Sequence, residues 1–150
     1  MVQLFALKGS NMQRTKIDHI TQPCSKSCQS ACMSMLTGIP VEKIIDKHHE
    51  NLISGNRRFH EISPEYGLHV STPEDLENIY AGSIYVLIVS SGLLTELHMI
   101  IVDARDAEDI RVYDPATCYR QSINPQEGEV LLRSFIVRYK VDLAPHLGVL

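Results

Sequence analysis

The 150-residue chain has no apolar run long enough to span a membrane. A spanning helix needs about 20 consecutive apolar residues, whereas the most apolar run here, Ile84–Val89, has the length of a strand. No basic segment precedes the short apolar stretch at the start, so we expect no Sec signal peptide. The predicted location is the cytoplasm of the producing cell.

Blocks of like charge are also absent, because 14 basic and 18 acidic residues are interspersed and give a formal net charge of −4. Binding to a phosphate backbone needs a clustered basic face, so nucleic acid is not an expected partner. The apolar share of 44% is ordinary for a globular protein. The chain has no internal repeat, low-complexity tract or linker, and residues 1–150 are therefore predicted to form one domain.

The four cysteines match no common metal or disulfide pattern. Cys24, Cys28 and Cys32 fit neither paired C-x2-C zinc ligands nor an iron–sulfur motif, and on a helix their sulfurs would spread along about two turns. We therefore predict no metal and no other cofactor, and we expect reduced thiols, Cys118 included. Three histidines offer no ligand pair one helical turn apart and are predicted to be solvated at the surface: His48, His49 and His60.

The first half of the chain is predicted to be helical. Ser25 or Ser27 can cap a first helix, which Gly38 ends. The buried face of that helix is predicted to carry Ala31, Cys32, Met35 and Leu36. Pro40 begins a second helix, which is predicted to run from Val41 to about His49.

The remainder of the chain changes from turns to strands. Residues 51–70 are polar and turn-rich, and residues 66–70 at their end are predicted to turn into a strand. Residues 72–82 are predicted to form a short helix because a threonine cap, a proline and an acid follow one another. Residues 2–7 are a possible edge strand. Runs of β-branched and aromatic residues predict four further strands, at Ser83–Ser90, Leu97–Ala104, Ile110–Asp114 and Ile136–Val141. Helices followed by strands predict an α+β fold, with the helices on one face of an antiparallel sheet.

Four residues make chemical sense when they are taken together. Cys28 begins an apolar helix, whose unpaired N–H groups and dipole stabilise a thiolate. Gln22, six residues earlier, supplies an amide that can bind an oxyanion beside the Cys28 backbone N–H. His98 lies in an apolar strand, and a hairpin connection can bring it to Asp114 at the end of the next strand, giving a base and its orienter. Each residue alone has a simpler explanation as a core or turn residue, whereas all four in this order favour catalysis.

These residues resemble the papain-like bacterial peptidases. The group they resemble most is the bacteriocin-processing (double-glycine leader) peptidase domains with their stand-alone relatives, among them secreted effector proteases. The resemblance rests on Gln22, on residues 27–38 (Ser-Cys-Gln-Ser-Ala-Cys-Met-Ser-Met-Leu-Thr-Gly), on His98 heading a hydrophobic strand and on Asp114-Pro115 ending the next. It covers about residues 17–141, the expected core of the domain.

The resemblance implies a papain-like fold and a site residue by residue. Cys28 takes the place of the nucleophile, His98 of the general base and acid, Asp114 of the orienter and Gln22 of the oxyanion donor. Cys32 takes a buried structural place in the helix. The chain departs from the family around the nucleophile, where Ser27 replaces the usual Asp or Trp and Gln29 the usual Gly. Gln29 is expected to lie beside the site of attack, so the double-glycine substrate is not carried over.

The implied activity is that of a cysteine protease that hydrolyses a peptide or amide bond through a Cys28 thioester. The implied setting is that of a bacterial effector or toxin, which a specialised secretion system would deliver into a target cell. The expected partners are a peptide or protein substrate and, by analogy, an inhibitor, an immunity protein or a host activator. Deamidation and acyl or transglutaminase-type transfer use the same thioester and differ in what attacks it. A pseudo-enzyme that binds peptides in the same groove is the alternative from another class.

Overall fold

The computed structural model describes residues 17–90, 97–116, 121–123 and 135–142, which form helices packed on an antiparallel sheet. The helices are α1 (Cys28–Thr37), α2 (Val41–Ser54) and the short α3 (Phe59–Ile62), which a 3-10 turn at Ser63–Tyr66 follows. The strands are β1 (Val70–Ser71), β2 (Ile84–Ser90), β3 (Leu97–Asp103), β4 (Ile110–Tyr113), β5 (Gln121–Ile123) and β6 (Phe135–Val141). The predicted α+β class is confirmed.

The sheet has the strand order β1-β6-β2-β3-β4-β5, and each described pair of neighbours is antiparallel. Its central strand, β2, is buried on both faces. Val86 packs into the core that contains the helices. Tyr85 and Leu87 point to the opposite face, where a second cluster includes Ile79 from the segment before β2. The alternation of side chains along a strand thus explains why β2 is apolar at almost every position.

Helix α1 lies between the sheet and α2 and is buried on more than one side. Residues 30–35 are all buried, whereas the sequence predicted a single apolar face. The small side chains of Ser30, Ala31 and Ser34 permit this close packing against two neighbouring layers. Gly38 ends the helix in the left-handed conformation, with φ of 81°, and its N–H donates to Ser34 O at 2.8 Å.

Helix α2 is longer than predicted. Its buried residues include His48 and Leu52, one turn apart, and this continued stripe carries the helix past His49 to Ser54. The prediction of a solvated His48 is wrong: Nε2 is hydrogen-bonded to the Tyr66 hydroxyl at 2.8 Å, and burial lowers the pKa of the imidazole. His60 is exposed but is hydrogen-bonded through Nδ1 to the Tyr139 hydroxyl at 2.9 Å.

The short helix predicted at residues 72–82 does not form. The Asp75 carboxylate accepts hydrogen bonds from the backbone N–H groups of Glu77 and Asn78, at 2.9 and 3.1 Å. The Leu76 carbonyl accepts from the N–H of Val137 on β6 at 2.9 Å. These contacts use groups that a helix would need for its own ladder, so the segment stays irregular and covers the second face of the sheet.

The four predicted strands correspond to β2, β3, β4 and β6 with small changes at their ends. The turn into a strand predicted at residues 66–70 corresponds to the short strand β1, whereas β5 was not predicted. The edge strand expected at residues 2–7 and the cysteine Cys118 lie outside the described residues. No helix in the described ranges is long and apolar enough to cross a membrane.

The packing of the sheet against the helices predicts unequal costs for two isoleucine truncations. Ile101 on β3 is fully buried, so Ile101→Ala is expected to lower the free energy of unfolding by about 2–5 kcal/mol. The matched control is Ile136→Ala, because Ile136 on β6 is 54% exposed and its truncation should cost less than about 1 kcal/mol. Urea unfolding measures both, and equal losses would contradict this core.

Candidate active site

Cys28 is the first residue of α1 and is partly buried against the main core. The first α1 N–H with a helical acceptor is that of Ala31, which donates to Ser27 O at 3.0 Å, so the N–H groups before it have none within the helix. The predicted serine cap is wrong, because Ser27 occupies the cap position without a side-chain cap bond. Its hydroxyl instead donates to Cys24 O at 2.9 Å. The electropositive helix end therefore lies at Cys28 without a competing cap.

A buried thiol sets the position of α1 along β3. Cys32, one helical turn after Cys28, donates from Sγ to the Met99 carbonyl at 3.5 Å. Met99 directly follows His98 in the chain, so this contact holds the start of α1 beside His98. Burial raises the pKa of Cys32 well above its usual value, and the nearby Cys28 and Asp114 act in the same direction. Cys32 thus stays a neutral thiol in the buried place expected for it.

His98 and Asp114 form a direct side-chain pair. His98 Nε2 lies 2.6 Å from Asp114 Oδ1, and the same oxygen accepts the Ala116 N–H at 2.9 Å. The β3–β4 register pairs Ile101 with Tyr113. Its continuation puts Asp114 opposite the residue two positions after His98, which makes the two side chains diagonal neighbours. The hairpin therefore brings together the two residues that the sequence suggested.

Hydrogen bonds with Asp114 and then with the Cys28 side chain raise the pKa of His98 to about 9, against burial, which acts to lower it. Because Nε2 is bonded to Asp114, Nδ1 is the nitrogen left to face the sulfur. Burial acts to raise the pKa of Asp114, but the bonds from His98 and the Ala116 N–H, with the charges of His98 and His19, outweigh it and lower that pKa. Near neutral pH the pair is an imidazolium and a carboxylate.

Gln22 lies in the loop before α1. Its Nε2 donates to the Cys24 carbonyl at 2.7 Å, while Oε1 is buried and has no hydrogen-bond partner within the described part of the chain. Its backbone N–H donates to the Pro115 carbonyl at 2.8 Å. The structure thus brings Cys28, His98 and Asp114 together and anchors the Gln22 loop beside Asp114, while the Gln22 amide is directed to its own loop.

Two contacts near the site were not anticipated. Gln29 donates through Nε2 to the Leu52 carbonyl on α2 at 3.3 Å, so the expectation that its side chain lies beside the site of attack is wrong. His19 Nε2 lies 2.8 Å from the main-chain carbonyl oxygen of Asp114. The sequence offers one weak signal for His19, a histidine three residues before Gln22, and none that pairs it with a residue 95 positions away.

Among the described residues, no metal cluster is found, and the cavity that they form at the other end of α1 does not reach the sulfur. Within the described ranges no group of three His, Cys, Asp or Glu side chains is arranged to hold a metal ion. A cavity of about 980 Å³ lies towards the C-terminal end of α1, where Met35, Ile39, Tyr66 and Leu68 are among its lining residues. Neither Cys28 nor His98 lines it.

Comparison with known proteins gives a likeness among solved structures. No family model matches the sequence, and no curated protein matches it either. Among solved structures, the chain is similar to a double glycine motif protease from an AMS/PCAT transporter, whose crystal structure was determined in complex with the leader peptide. The match has a TM-score of 0.50 at 16% sequence identity and covers 86% of this chain and 94% of the other. At this identity the likeness shows a shared fold.

The His98–Asp114 pair predicts a pH dependence of stability. The pKa of His98 is raised from 6.5 to about 9, so its contribution is fully present below about pH 6.5 and is lost as pH rises through about 9. The pKa of Asp114 is lowered, so the contribution of this carboxylate to stability is present at pH values above the usual pKa of an aspartate. It is lost only as the pH falls through the lowered value. Urea midpoints of wild type should therefore fall between neutral pH and pH 9.5 more steeply than those of Asp114→Asn.

The matched control is Asp109→Asn, which removes a partly exposed carboxylate that pairs with Arg111 on the hairpin. Its midpoints should follow the wild-type slope, because arginine does not titrate in this range. Parallel slopes for wild type and Asp114→Asn would contradict the proton-linked pair.

Proposed function

We propose that this protein is a cysteine peptidase that hydrolyses a peptide or amide bond through a thioester on Cys28. The observation that carries the proposal is the position of His98, which bonds Asp114 through Nε2 at 2.6 Å and lies close enough to the Cys28 side chain for that thiol to help raise its pKa. A thiol beside an imidazole that a carboxylate orients is the arrangement of a catalytic triad, which performs covalent acyl transfer. The shared fold with a protease supports the same conclusion.

In the proposed mechanism, Cys28 acts as a thiolate beside the His98 imidazolium. The sulfur attacks the substrate carbonyl carbon and forms a C–S bond, and the carbonyl oxygen becomes an oxyanion. His98 passes its proton to the leaving amine as the C–N bond breaks, which leaves a thioester. Water then attacks the thioester, His98 takes a proton from it, and the carboxylic acid leaves as the thiolate returns.

Two donors are assigned to the oxyanion in this proposal. One is the backbone N–H of Cys28 at the start of α1, which lacks an acceptor within the helix. The other is the Gln22 amide, whose NH₂ group has two N–H donors. One N–H bonds the Cys24 carbonyl and fixes the orientation of the amide, and the second is assigned to the oxyanion.

A peptide is the proposed substrate class. The structural neighbour was solved with a leader peptide, which supports a peptide substrate for this protein. The Gln29 side chain bonds α2 at Leu52, so a bulky residue after the nucleophile does not by itself argue against peptide access. The setting of a bacterial effector or toxin is supported by the family resemblance alone, and the test below therefore screens both bacterial and host-cell lysates.

The experiment compares lysates treated with wild type and with Cys28→Ala by mass spectrometry. We expect new peptide termini that require Cys28, since loss of the nucleophile in such a unit costs about three orders of magnitude in rate or more. His98→Ala should cost a similar factor, and Gln22→Ala about a hundredfold through loss of one oxyanion donor.

The matched control is Cys24→Ser, because Cys24 is an exposed thiol in the turn before α1 and has no role in the mechanism. This variant should keep near-wild-type turnover. Cleavage by Cys28→Ala at the wild-type rate would refute the proposal. Deamidated or cross-linked side chains instead of new termini would indicate a deamidase or a transglutaminase-type transferase rather than a peptidase. If no change depends on Cys28, the result would favour a peptide-binding protein.

A further inference from the structure

The segment that leads to Gln22 runs beside the end of β4 and is bonded to it at two consecutive carbonyls. His19 Nε2 lies 2.8 Å from the Asp114 carbonyl oxygen. The Gln22 N–H donates to the Pro115 carbonyl at 2.8 Å. A carbonyl oxygen only accepts hydrogen bonds, so His19 carries a proton on Nε2 in this contact.

Asp114 directly follows the last residue of β4. The described β3–β4 pairs end at Ile101 and Tyr113, one residue before it. The next residue is Pro115, which has no N–H with which to continue a ladder. The carboxylate nevertheless holds His98 at 2.6 Å, a distance that depends on where the main chain of Asp114 lies. The bond from His19 supplies a fixed point at this residue.

We propose that His19 is a positioning residue, which fixes the main chain of Asp114 and thereby holds its carboxylate against His98. For its effect on catalysis the inference rests on the proposed function, but the claim about Asp114 and His98 stands on geometry. His19 acts through Asp114 and touches no reacting atom. Its charge when protonated also lowers the pKa of Asp114, in the same direction as the bond from His98.

The bonds from His19 and from the Gln22 N–H also couple the loop that carries Gln22 to Asp114. His19 and Gln22 are three residues apart on one short segment, and each is hydrogen-bonded to a main-chain carbonyl of Asp114-Pro115. A shift of this segment would therefore move the proposed oxyanion donor and the carboxylate together. Displacements of about 1 Å in such a constellation can cost about a hundredfold in rate.

The test compares His19→Ala with His19→Gln, whose side-chain amide restores an N–H donor. NMR titration follows the ring protons of His98, whose pKa is about 9 in the native arrangement. We expect His19→Ala to lower this pKa by about half a unit or more, because the carboxylate is less well held, and His19→Gln to recover most of it. Circular dichroism confirms that each variant is folded.

The matched control is His69→Ala. His69 is exposed, and its main-chain carbonyl accepts a hydrogen bond from the Asp142 N–H, so the ring can be removed without disturbing that contact. The His98 titration should be unchanged in this variant. An unchanged His98 pKa in folded His19→Ala would overturn the proposal. An equal fall of the His98 pKa in His19→Ala and His19→Gln would also overturn it.

Activity gives the second readout. If a cleaved peptide is in hand, His19→Ala should lower kcat by about tenfold with little change in KM, since the residue orients a catalytic group and touches no substrate. A change in KM alone would overturn the positioning role. If no Cys28-dependent cleavage exists, the proposed function fails, while the His98 titration still decides the claim about Asp114.

A measurement on the wild-type protein keeps the inference testable if both variants fail to fold. Long-range proton–nitrogen correlation reports which ring nitrogen of neutral His19 carries the proton. We expect the Nε2–H tautomer, because that proton is donated to the Asp114 carbonyl. The Nδ1–H tautomer would overturn the inference.

Discussion

The docking of α1 on β3 is the constraint on which the rest of the site depends. A nucleophile on a helix and a base on a strand meet only when the two elements are held in one register. The buried Cys32 thiol supplies that register through its bond to the Met99 carbonyl, one turn past Cys28 and one residue past His98. Small residues along α1 let the helix approach the sheet closely, and close-packed interiors resist sliding.

The second half of the site is built at the end of a hairpin. Asp114 stands just past the β3–β4 ladder and receives its support from outside the sheet, through His19 and the Gln22 loop. The segment before α1 therefore leads into the helix that carries Cys28 and is also hydrogen-bonded to the main chain at Asp114. In this arrangement the pKa of His98, about 9, reports on both halves, because Asp114 and Cys28 each raise it.

The sequence predicted the parts of the fold that follow from local patterns. Periodic apolar residues and terminal glycines located α1 and the start of α2, and β-branched runs located β2, β3, β4 and β6. It failed where tertiary contacts override local preference. Asp75 and Leu76 bond other backbone groups and prevent a helix, and Leu52 prolongs α2 by continuing its buried stripe. His48 and Gln29 were misjudged because each finds a partner that only the fold supplies.

The site was predictable to the extent that its residues form an ordered motif. Cys28, His98 and Asp114 meet as that motif suggested, whereas the bond of the Gln22 amide to Cys24 and the brace from His19 depend on loop conformation, which spacing does not encode. The central claim, which belongs to the proposed function, is that Cys28 reacts as a thiolate beside a His98 that carries the proton.

The most direct test records thiolate absorbance and the His98 NMR signal together in the Cys24→Ser protein near neutral pH, with Cys28→Ala in the same background as the blank. The account predicts a Cys28-dependent thiolate alongside a protonated His98. A neutral imidazole with no Cys28-dependent thiolate absorbance would contradict it.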